Sequence, residues 1–137
     1  MNLERFVNAQ EESYEIALNE IKKGRKRSHW MWYIFPQIKG LGHSSTAQYY
    51  AIQNRAEAEA YLAHPVLSKR LLEISEELLK IESDDASEVF GYPDDLKLKS
   101  SMTLFSLISK KTVFKRVLDK FFDGEIDDRT VELLKDN

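Results

Sequence analysis

No stretch of this chain alternates strictly between apolar and polar residues from one turn signal to the next, as a half-buried β-strand would; its apolar residues recur at helical spacing instead. Between Asn2 and Gly24 the residues Leu3, Phe6, Val7, Tyr14, Ala17, Leu18 and Ile21 follow that spacing. Acidic residues come early and Lys22 and Lys23 come last, the order that complements a helix dipole. This predicts one helix, or two with a break near Glu12, stopped by Gly24. Asn54 followed by Glu57 reads as a capping-box variant opening RAEAEAYLA, and His64-Pro65 restarts the chain into VLSKRLLEISEELLKI. Asp85 and Gly91 bracket a short turn, Pro93 opens a helix through roughly Ser109, VFKRVLDKFF forms another, and Asp127 or Asp128 caps a last one. The one ambiguous run, Trp30 to Phe35, has no partner strand to satisfy its backbone, so it reads as a buried helix ending before Pro36. The expectation is a single all-α domain over residues 1–137, with about six to eight helices.

Composition narrows the function classes. The 137 residues carry 20 Lys and Arg against 23 Asp and Glu, a net charge of −3, which argues against a surface wholly devoted to nucleic acid and leaves room for a local basic patch. With no cysteine, disulfide frameworks, thiol nucleophiles and thiolate zinc sites are excluded, and three scattered histidines offer little to an imidazole metal site. No metal or cofactor is therefore expected. No apolar run approaches the roughly 20 residues that cross a bilayer, and MNLERFVNAQEE places acids where a signal peptide is apolar. A cytoplasmic location without membrane attachment is the expectation.

The densest chemistry lies from Lys22 to His43. Five basic residues occupy positions 22–27, followed at once by Ser28, His29 and an aromatic-rich run. With Ser28 as N-cap, the free amides of the next turn, the helix dipole and the cations Arg25, Lys26 and Arg27 would converge on an anion, with Trp30 or Trp32 stacking on a ring. The competing reading is a solvated basic loop beside core aromatics. His29 shares a helix face with Tyr33, His43 sits in the Gly-rich loop GLGHSS, and His64 reads as a cap. Gly40 and Gly42 match no dinucleotide or P-loop pattern.

The second constellation is GYPDDLKLKSSMTLFSLIS. On a helical wheel Lys97 and Ser101 fall within the apolar arc of Leu98, Met102, Leu104, Phe105 and Ile108. An inward lysine needs a carboxylate, here Asp94 or Asp95, or an anion in an adjoining cavity. Two readings follow: a structural Asp–Lys pair, or a site where Lys97, Ser100, Ser101 and Thr103 hold a ligand. The Ser-x-x-Lys order of serine nucleophiles is absent, as are HExxH, EF-hand and paired-carboxylate motifs.

GRKRSHWMWYIFPQIKGLG, EAEAYLAHPVLSKRL and FGYPDDLKLKSSMTLF together resemble the signature of a small bacterial family, domain-of-unknown-function family eighteen-ten. The resemblance runs from RFVNAQ at Arg5 to Gln10 through FFDGEIDDRTVELL and implies a multihelical single domain, with no activity to carry over. A calpastatin label sometimes attached to that family implies a protease inhibitor, which nothing in this sequence supports. A fainter similarity, through Phe6 to Gln10 and Phe90-Gly91, is to the YbiA-like N-glycoside hydrolases acting on ADP-ribose-type compounds, and it implies a ligand class.

The functional expectation is a polar, cationic site for a phosphate-bearing small molecule of nucleotide or ADP-ribose type, where the 25–43 segment meets the 94–103 helix. Arg25, Lys26, Arg27 and Lys97 would hold the anion, Ser100, Ser101 and Thr103 would donate hydrogen bonds, and Trp30 or Trp32 would stack. His29 or His43 with Asp95 would supply acid/base groups for hydrolysis. The alternative is a non-enzymatic module whose basic 22–27 patch docks an acidic protein or RNA.

Overall fold

The structure, a computed structural model, describes residues 2–136. Nine helices follow one another among these residues, and no strand does. The first, α1 (Glu4–Lys22), is stopped where Gly24, at φ 80°, turns the chain back on itself. Helix α2 (Met31–Ile34) is a single turn that ends before Pro36, as the sequence predicts, but it begins after Trp30 and not after Ser28. Helix α3 (Ser45–Tyr50) lies where the sequence reads as loop. Ser44 caps it through the Ala47 amide, and Ala47 is its only buried residue, so it carries no apolar stripe to read.

The remaining helices begin where their caps stand. Asn54 accepts from the Glu57 amide to open α4 (Arg55–Ala63), and Glu57 reaches back to the Gln53 amide. His64 Nδ1 accepts from the Val66 and Leu67 amides at the start of α5 (Pro65–Lys80), so this imidazole is a cap. Asp85 caps α6 (Ala86–Phe90), and α7 (Asp94–Ile108) follows Pro93. Helices α8 (Val113–Phe122) and α9 (Asp128–Lys135) complete the chain. None of these helices is long and apolar enough to cross a membrane.

Helix α5 packs on α1, α4 and α8, while α7 packs on α4, α6, α8 and α9. Aromatic contacts join the elements: Phe6 of α1 meets Tyr61 of α4 edge-on, Tyr61 meets Phe105 of α7, and Phe105 meets Phe114 of α8, with ring centroids 5.2, 5.5 and 5.7 Å apart. Each such pair adds about 0.5–1.5 kcal/mol beyond its area. Trp30, Phe35 and Phe90 form a second cluster that seals α2 against α6.

The loop after α2 is held by two backbone bonds of 2.8 Å, Lys39 N–H to Ile52 C=O and Ile52 N–H to Gln37 C=O. Gly42 lets it lie flat on α3, since a Cβ there would stand 2.5 Å from the Ala47 Cβ and 3.2 Å from Trp32 Cη2. Gly42→Ala is therefore expected to cost about 1–3 kcal/mol. A urea melt would show a lower midpoint at unchanged slope, and an unchanged midpoint would mean that the loop simply lifts away.

Candidate functional site

The turn at Gly24 sends residues 25–30 back over the last turn of α1, where Glu20 waits. Its Oε1 accepts from the amides of Arg27 (2.7 Å) and Ser28 (3.0 Å) and from Trp30 Nε1 (2.9 Å), while Oε2 accepts from the Ser28 hydroxyl at 2.5 Å. Burial acts to raise the Glu20 pKa, but these hydrogen bonds outweigh it and hold the carboxyl down at about 2. The Ser28 hydroxyl and amide, expected at the start of an anion-binding helix turn, thus hold the chain's own carboxylate. The cationic loop is folded around an internal anion.

Lys26 and Lys97 reach a second carboxylate. Lys26 Nζ lies 2.9 Å from Asp94 Oδ2 and donates to the Ser28 carbonyl at 2.6 Å, and Lys97 Nζ lies 3.0 Å from Asp94 Oδ1. Burial acts to raise the Asp94 pKa, and the two ammonium groups overcome it and lower it. Lys97 also sits over the Trp32 ring, 4.0 Å from its centroid, and Lys26 lies 5.1 Å from that of Trp30. The 25–32 segment and the start of α7 are therefore in direct contact. Two cations on one carboxylate leave an excess positive charge, beside which Arg25 and Arg27 are exposed, their guanidinium groups without hydrogen bond or ion pair among the described residues.

Residues 1–134 match the model of a family described as Protein of unknown function (DUF1810). The chain belongs to this family. The DUF1810 chain is also similar to the crystal structure of the conserved hypothetical protein Rv1873 from Mycobacterium tuberculosis. That similarity has 45% identity and a TM-score of 0.95, covering 98% of this chain and 96% of that one. No curated protein matches.

In this DUF1810 protein the other sequence-predicted residues are dispersed. Trp30 is buried, and only Trp32 keeps partial exposure. Ser100 donates to Asp127 Oδ2 at 2.8 Å, and Thr103 Oγ1 accepts from the Asp127 amide at 2.9 Å, so both hydroxyls anchor the start of α9. Ser101 is fully buried and its hydroxyl has no partner among the described residues. Asp95 turns to the Leu96 amide, 2.9 Å away. His29 and His43 are exposed, and no side-chain hydrogen bond joins either to Asp95 among the described residues. No cluster of three or more His, Cys, Asp or Glu suited to a metal occurs among those residues.

Three polar centres escape sequence reading: Glu20, the buried pair Arg5–Glu57 (2.8 Å), and Arg70 with Gln10. Their partners lie across turns or in other helices, beyond the reach of periodicity. The only sequence signal is an Arg beside Phe6 within the apolar pattern of α1.

Proposed function

We propose that this DUF1810 chain acts as a single cytoplasmic domain that binds a phosphate-bearing small molecule, of nucleotide or ADP-ribose type, on the face formed by Arg25, Arg27, Trp32 and Lys97. The observation that carries this reading is the convergence of Lys26 and Lys97 on Asp94, which gives excess cationic charge beside a partly exposed indole and two guanidinium groups unpaired among the described residues. Guanidinium forks suit phosphate oxygens, and Trp32 offers a surface for a base. Hydrolysis of the bound ligand is the enzymatic form of the proposal, with His29 or His43 and Asp95 as the acid/base groups on these segments.

A thermal-shift series with ADP-ribose, ADP and pyrophosphate tests it. At about 100 times the dissociation constant, ligand should add roughly 2.7 kcal/mol. Lys97→Met should abolish that shift. Its own stability should fall by only about 1 kcal/mol, because Asp94 keeps Lys26. Silence from all three compounds would sink the proposal.

One observation favours a second reading: Lys22, Lys23, Arg25 and Arg27 are all exposed. Such a patch would dock RNA or an acidic protein, with affinity falling steeply as salt rises and indifferent to Lys97→Met.

A further inference from the structure

Between α1 and α5 opens a cavity of about 430 Å³ that shares no lining residue with the face described above. Its most buried cation is Arg70. Among the described residues, the one hydrogen bond from this guanidinium is Nη1 to Gln10 Oε1, at 3.4 Å. Gln10 is 1% exposed and fixed in turn, its Nε2 donating to the Tyr33 carbonyl (2.8 Å) and the Tyr61 hydroxyl (3.0 Å). The guanidinium lies 5.4 Å from the centre of the Tyr14 ring, whose hydroxyl donates to Glu73. Among the described residues no carboxylate comes within ion-pairing distance of Arg70, and Lys69 beside it is likewise unpaired. Arg5 makes the contrast, since all of its nitrogens donate to carbonyls or to Glu57.

A guanidinium drawn partly out of water, braced from behind by a buried amide and without an ion-pair partner among the described residues, is arranged for an anion from outside. Pro65 and Val66 supply an apolar wall, and Glu15 and Glu73 line the same cavity, so a multiply charged anion is repelled more strongly than a singly charged one. We infer that this cavity binds a small organic monocarboxylate, its oxygens on the Arg70 fork and its hydrocarbon part against Pro65 and Val66.

Butyrate is the probe, followed through the Arg70 side-chain N–H signals of the full chain by NMR. The expected result is a saturable shift that chloride and butylamine do not produce. Affinity should weaken at least tenfold in Arg70→Lys, which keeps the charge and loses the fork. Val66→Glu, in the exposed first turn of α5 where an acid suits the helix, should abolish the shift while leaving the fold intact. Three outcomes would each overturn the inference: an Arg70 response to butyrate no larger than to chloride, undiminished binding by either variant, or tighter binding of pyrophosphate than of butyrate at Arg70.

Discussion

Replacing Arg5 by methionine is expected to remove about 3–5 kcal/mol of stability, because it strands a buried carboxylate. The side chains of Arg5 and Glu57 are 5% and 4% exposed. Arg5 Nη2 lies 2.8 Å from Glu57 Oε1, Nη1 lies 3.3 Å from Oε2, and the remaining N–H groups bond the carbonyls of Asn2, Tyr49 and Ala51. One guanidinium therefore ties the start of α1 to the end of α3 and the first turn of α4. A loss of this size lowers the melting temperature by on the order of 10–15 °C in a domain of this length. Arg5→Met/Glu57→Met should recover a large part of it, since an absent pair costs less than a broken one. Calorimetry of the two variants beside the parent checks this, and an Arg5→Met variant within about 1 kcal/mol of the parent would show that the pair is not the clamp described.

Glu20→Ala is expected to cost about 2–4 kcal/mol, because it leaves two amides and the Trp30 indole N–H without their acceptor. The effect carries a pH signature. A carboxyl whose folded pKa is about 2 against an ordinary 4.5 contributes stability that is fully present above pH 4.5 and lost as pH falls towards 2. Glu20→Gln has nothing to titrate there, so the stability gap between parent and Gln variant should be widest at neutral pH and shrink through that window. Urea melts at pH 7, 4 and 3 measure the gap. A gap that stays constant with pH would show that the carboxylate's charge plays no part in holding the 25–30 segment.

The fold was legible where a short-range rule governs it. Gly24 after α1, Asn54 with Glu57, His64 before Pro65, and Asp85 with Gly91 all stand where local capping physics puts them. Helix α3 was not legible, because a six-residue helix with one buried side chain leaves no period to detect. For the candidate site, the inward placement of Lys97 followed from the wheel, and its pairing with Asp94 is a neighbourly i, i+3 contact. Glu20's grip on Arg27, Ser28 and Trp30 depends on a reversal at Gly24 that aims four donors from three residues at one carboxylate, which spacing alone does not encode. Ser100 and Thr103 meet Asp127 only because α9 folds back onto α7, and that is tertiary information.

In the proposed function, the loop after α1 and the start of α7 act together on one anionic ligand. The most direct test is an NMR titration of the full chain with ADP, at two salt concentrations, following the Arg25 and Arg27 side-chain N–H groups, the Trp32 indole N–H and the Lys97 amide. All four are expected to respond with a single dissociation constant, and the response to persist at the higher salt and disappear in Lys97→Met. Arginine signals that move alone and fade with salt, while Trp32 and Lys97 stay still, would contradict it.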